Sequence, residues 1–100
     1  MISREGNQVR VSGRLTMDTV TGLIKGGLQP NGLSALMVDM SGVEAVDSAA
    51  VSLMLAWVRE AKRNNISLIF SNVPDNLLSL ADLYGVSDVL TLHRDSALPA

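Results

Sequence analysis

The sequence predicts a single α/β domain. It should hold a mostly parallel mixed sheet that opens with an N-terminal hairpin and carries about three helices. Three observations predict this. Val9, Val11 and Leu15 keep a period of two just after a turn-forming Glu5-Gly6-Asn7 step. Short apolar runs then alternate with stretches of helical spacing, in the order β-β-α-β-α-β-α-β. The 100 residues are 47% hydrophobic but only 3% aromatic, which suits one aliphatic core beneath helices.

Each element has a local reason. Ile2 to Arg4 is the first hairpin strand. In the second, Arg10, Ser12 and Arg14 alternate with the apolar positions, and Gly13 marks a bulge or a close approach. Thr16 is the expected N-cap of a helix from Met17. Asp18 sits in its first turn, and Met17, Val20, Leu23 and Ile24 form its core face. Gly26-Gly27 ends this helix, and Pro30-Asn31-Gly32 forms a loop. Ala35 to Met40 is the strongest strand, and its continuous Leu36-Met37-Val38 run predicts cover on both faces. Ser41-Gly42 reads as a turn. Val43, Val46, Asp47 and Ser48 then lead into the longest helix, Ala49 to Asn64, stopped at Asn64-Asn65.

Ile66 to Phe70 is the next strand. Pro74 opens a third helix, Asn76 to Tyr84, with Leu77, Leu80, Ala81 and either Leu83 or Tyr84 toward the core. Gly85 is its expected C′ residue. Val86 to Leu92 supplies the last strand, and Asp95 to Ala100 a frayed tail. No repeat or linker divides residues 1–100.

Composition excludes several functions. The net charge is −2 and no basic patch stands out, so no nucleic-acid partner is expected. Cysteine is absent, which removes disulfides, thiol catalysis and thiolate metal sites. His93 is the single histidine, so no metal site is expected. Gly26-Gly27 lacks the Lys-Ser/Thr of a phosphate-binding loop, and Ser48 has no base near it in sequence. Asp39 reads as a carboxylate ending its strand beside the loop of Asp47. Neither a catalytic residue nor a cofactor is expected. No apolar run is long enough to span a bilayer, and the polar start, Met1 to Gly6, is not a signal peptide. The expectation is a cytoplasmic protein that reaches a membrane only through a partner.

One constellation points to function: Asp47-Ser48-Ala49-Ala50-Val51, where a polar step opens the longest helix. A helix start has free N–H groups and the positive end of the dipole. Asp47 and Ser48 either cap that helix and do no more, or also present it to a ligand or partner. Farther along, Val51, Met54, Leu55, Val58 and Ala61 share one apolar face, with Leu53 and Trp57 off its centre. Those two surplus hydrophobes are either covered by a neighbouring helix or form an exposed strip beside the helix start.

The string Val38-Asp39-Met40-Ser41-Gly42-Val43-Glu44-Ala45-Val46-Asp47-Ser48-Ala49-Ala50-Val51 resembles the signature of the STAS domain family. Val11-Ser12-Gly13-Arg14-Leu15 is similar to the family's "hydrophobic-x-G-x-L" strand, and the resemblance runs from about Val9 to Leu92. It implies a STAS-like fold across 1–100. Among family members it is closest to the small, MlaB-like subunits of Mla-type phospholipid-transport ABC systems. That resemblance implies a non-catalytic accessory subunit, bound to the cytoplasmic ATPase and peripheral at a Gram-negative inner membrane. Asp47, Ser48, Ala49, Ala50, Leu53 and Trp57 would be its partner-binding residues. The alternative is an anti-sigma-factor antagonist switched by phosphorylation of Ser48, which stands at the family's acceptor position. Two departures weigh against the switch: Ala50 stands where such antagonists usually carry Gly, and Thr16 where they usually carry Asp.

Overall fold

The computed structural model describes residues 2–28, 32–86 and 92–93. The elements follow the expected order: β1 (Ile2–Glu5), β2 (Gln8–Leu15), α1 (Met17–Gly26), β3 (Ala35–Val46), α2 (Ser48–Arg63), β4 (Ser67–Ser71), α3 (Asp75–Leu83) and β5 (Leu92–His93). They build a five-stranded sheet in the order β1-β2-β3-β4-β5. β1 pairs antiparallel with β2, and the remaining pairs are parallel. Of the expected last strand, residues 87–91 lie outside the described residues, as do Pro30, Asn31 and the tail.

This strand order constrains the layers. Every crossover steps one strand in the same direction, so crossovers of one hand place all their helices on one face. Burial agrees. Val9, Val11, Leu36, Val38, Leu68 and Phe70 are buried together, whereas their neighbours Arg10 and Met37 are exposed and Ile69 is half-buried. The expectation that β3 is covered on both faces is therefore corrected, because among the described residues the monotonic order leaves the second face without a helix.

The expected turn at Ser41-Gly42 is also corrected, since β3 continues through both residues to Val46. Against β2 it holds register shifts between Arg10 and Ser12 and between Gly13 and Arg14. Each inserts an extra residue into β3, which is a β-bulge. Glycine makes the bulges possible. A Cβ on Gly42 would lie 2.8 Å from Ser12 Cβ. Gly13 sits at the second shift with φ of +87°, a region that side chains enter only with strain.

Helix orientation departs most from expectation. α2 is the middle helix, touching α1, α3 and β4. Its buried residues are Ala50, Val51, Leu53, Met54, Trp57, Val58 and Ala61. Leu53 and Trp57 are 0% and 1% exposed, while Leu55 is half-buried. Neighbours on both flanks widen the covered arc until it takes in Leu53 and Trp57, so neither forms an exposed apolar strip. The outer helices show the opposite error. On α1 only Val20 is buried; Leu23 is half-buried, and Met17 and Ile24 are exposed. On α3, Leu77 and Ala81 are buried, but both Leu83 and Tyr84 are exposed. An outer helix has one flanking helix rather than two, so a narrower arc is covered.

Candidate functional site

β3 ends at Val46 and α2 begins at Ser48, so Asp47 alone joins them. It is extended and serves as the N-cap of α2. Its Oδ1 accepts the Ala49 N–H at 2.8 Å, and its Oδ2 accepts the Met17 N–H at 3.2 Å. Its own N–H donates to the Leu15 carbonyl at 3.2 Å, fastening it to the end of β2. One carboxylate thus satisfies a free donor at the start of each of two helices and lies at the positive end of both dipoles. α1 is braced further by Thr19, whose Oγ1 accepts the Thr16 N–H at 3.1 Å and donates to the Arg14 carbonyl at 2.7 Å.

Ser48 is the first residue of α2 and is exposed. Asp47 and Ala49 beside it are half-buried. These three predicted residues come together at an accessible helix start. Ala50, Leu53 and Trp57 do not join them, because they point into the core. Their assignment to a partner-facing surface is corrected: Ala50 is buried from the first turn of α2, and Leu53 and Trp57 continue the same face.

Sequence reasoning placed Met17 in the core, yet it is 74% exposed with its N–H held by Asp47. A signal for this was present. Helical side chains lean toward the N-terminus, so a residue in the first position reaches past the layer beneath it.

A second carboxylate, Asp39, is 5% exposed within β3. Its Oδ1 accepts the Ser41 N–H at 2.9 Å and Asn72 Nδ2 at 3.0 Å, and Arg10 Nε lies 3.5 Å from its Oδ2. The Ser41 backbone bond holds this carboxyl below its ordinary range; burial opposes that, and Asn72 and Arg10 reinforce it. These contacts tie β2, β3 and the residue after β4 together. Asp39 was expected at the end of its strand beside Asp47; because β3 continues to Val46, it is a mid-strand clasp instead. Among the described residues no group of His, Cys, Asp and Glu is placed to hold a metal ion, and no helix is long and apolar enough to cross a membrane.

The arrangement is therefore an accessible pair of helix starts. It offers an exposed hydroxyl at the start of one helix and an exposed thioether at the start of another, held together by one buttressed carboxylate.

Comparison with known proteins agrees with this architecture. The family model described as "Mlab, STAS domain" matches residues 1–92. Among solved structures, the chain is similar to the anti-sigma factor antagonist SpoIIAA in its unphosphorylated form, at 15% identity and a TM-score of 0.65, covering 94% of this chain and 86% of that one. It is similar to a candidate anti-sigma factor antagonist from Thermotoga maritima, at 10% identity and a TM-score of 0.74, covering 94% and 85%. A sulfate transporter family protein from Wolinella succinogenes matches at 17% identity and a TM-score of 0.67, covering 92% and 80%. No curated protein sequence matches the chain. The family match spans the sheet and all three helices described above, and the chain belongs to the STAS domain family.

Proposed function

We propose that this STAS domain is a non-catalytic accessory subunit. It docks the Asp47–Ser48 end of α2 onto the cytoplasmic ATPase of an ABC phospholipid-transport complex and supports that complex's assembly or activity. The observation that carries this reading is the exposed Ser48 at a helix start held rigid by Asp47, with no catalytic partner placed beside it among the described residues. The description of the matched family model supports the choice of partner. In this reading the protein is cytoplasmic and meets the inner membrane only through the ATPase. The test is co-purification of the full chain from native membranes. The ATPase should accompany the wild type and be lost with Ser48→Glu, since a charge desolvated at a close contact is costly. Recovery of the wild type without any ATPase overturns the proposal.

A second reading, an anti-sigma-factor antagonist switched at Ser48, has one observation in its favour. The exposed serine begins a helix, where a phosphate would lie at the favourable end of the dipole. Ala50 in place of Gly and Thr16 in place of Asp remain departures from the antagonist pattern. Stoichiometric phosphate on Ser48 after incubation with an anti-sigma-type serine kinase and ATP would favour this reading over the first.

A further inference from the structure

We propose that Met17 is a redox-modification site, where a hydroperoxide converts the thioether to the sulfoxide, leaves the fold intact and weakens docking at the Asp47–Ser48 end. The effect on docking rests on the docking reading above; the modification does not. The chain has no cysteine, so its methionines hold the only sulfur open to mild oxidation. Among the described residues they differ widely in access. Met40 and Met54 are 0% and 1% exposed, in the core. Met37 is 38% exposed in the middle of the sheet, between Gln8 on β2 and Ile69 on β4. Met17 is 74% exposed. Methionine is among the residue types most often buried, so one this open is a departure from its usual use.

Selectivity and tolerance coincide at this position. An oxidant reaches Met40 and Met54 only when the fold opens, whereas it meets Met17 in the native state. A sulfoxide formed in the core would bury a polar oxygen without a donor. At Met17, water solvates it. The start of α1 does not depend on the sulfur. It is held through backbone donors, the Met17 N–H on Asp47 Oδ2 and the Thr16 N–H on Thr19 Oγ1.

The step balances with hydrogen peroxide as the oxidant. A sulfur lone pair attacks one peroxide oxygen, the S–O bond forms and the O–O bond breaks. Sulfur gives up two electrons, and the second oxygen leaves as water with both protons. A reductase and a dithiol reverse the change: the thiols are oxidised to a disulfide and the oxygen departs as water. The consequence for docking follows from the shared cap. Asp47 Oδ2 accepts the Met17 N–H at 3.2 Å, and Ser48 is the next residue after Asp47. A partner closing over Ser48 therefore closes beside Met17. Oxidation replaces a flexible apolar group there with a polar one that must be desolvated at the contact.

The test treats the full chain with hydrogen peroxide and follows each methionine by peptide mass spectrometry. Met17 should gain one oxygen on the order of tenfold faster than Met40 or Met54, and ahead of Met37, with an unchanged melting temperature. Equal rates at Met17 and Met54, earlier oxidation of Met37, or a fall in melting temperature as Met17 alone is oxidised overturns the site. A second arm measures affinity for the purified ATPase. The chain oxidised at Met17 should bind about tenfold more weakly, the cost of desolvating one neutral polar group. Methionine sulfoxide reductases of both epimer specificities, with a dithiol, should restore it. Met17→Leu should bind equally well before and after peroxide, and Met37→Leu should remain peroxide-sensitive. Oxidised chain that binds within about twofold of untreated chain, or a peroxide effect that persists in Met17→Leu, overturns the effect on docking. Failure of the untreated chain to bind the ATPase removes the docking reading and that effect together, and the oxygen map alone then decides the site.

Discussion

The Met17 N–H reaches Asp47 Oδ2 at 3.2 Å across 30 positions of sequence, so the first turn of α1 and the first turn of α2 depend on one side chain. Truncating that side chain releases both. Asp47→Ala should lower folding stability by about 1–2 kcal/mol, the loss of an N-cap. Ser48→Ala, at an exposed neighbour, should stay within about 0.5 kcal/mol. Urea unfolding supplies the comparison, and amide exchange at Met17 and Ala49 should accelerate together in the first variant. Equal stabilities for the two variants would show that the shared cap contributes nothing.

Trp57 is the single tryptophan and is buried. Trp57→Ala should cost about 3–5 kcal/mol and Leu53→Ala about 2–5 kcal/mol, each more than half-buried Leu55→Ala. The indole Nε1 has no hydrogen-bond partner among the described residues. Trp57→Phe therefore gives up volume without losing a hydrogen bond and should be the mildest change at that position. Thermal unfolding ranks the series. A milder effect from Trp57→Ala than from Leu55→Ala would return Trp57 to the surface.

Asp39 gives the fold an acid limb. Its folded-state pKa lies below the unfolded one, chiefly through the Ser41 backbone bond, so its stabilising effect is fully present above the unfolded value. The effect is lost as pH falls through the folded value. Asp39→Asn should therefore be destabilising at neutral pH, and its gap from wild type should close below about pH 4. Unfolding free energies measured across that range decide the point. A gap independent of pH would mean that the carboxylate charge plays no part.

Gly42 of β3 lies close against Ser12 of β2. Gly42→Ala places a methyl 2.8 Å from Ser12 Cβ and should cost about 1–3 kcal/mol. Introducing Ser12→Gly as well should recover part of that loss. An additive double-mutant cycle would place the strain elsewhere.

The order of elements was legible because its signals are local. Alternation at Val9 and Val11, the caps Thr16 and Asp47, and the paired asparagines after α2 each act over a few residues. The rotation of each helix about its axis was not legible. Apolar spacing tells which residues share a face, but α2 carries more apolar residues than one face holds, and its flanking helices choose the arc. The same ignorance moved Leu53 and Trp57 outward and Met17 and Ile24 inward. The bulges in β3 were hidden for another reason. Ser41-Gly42 has turn chemistry, and only pairing with β2 turns that chemistry into a kinked strand. At the candidate site, the Asp47–Ser48 helix start could be read directly. Its link to Met17 could not, because it joins elements distant in sequence.

The register shifts make β3 a length gauge. Each extra residue advances the chain by one position relative to β2, and by Leu15 and Val46 two such steps have accumulated. Deleting Glu44 would undo one step. Everything downstream would then retreat by one position, and because strand side chains alternate, the residue reaching the Asp47 position would face the opposite side. The spacing between the two helix starts is thus counted out in residues along a strand. Among homologues, the length of this segment should vary less than that of the loop between α1 and β3, where no such counting applies.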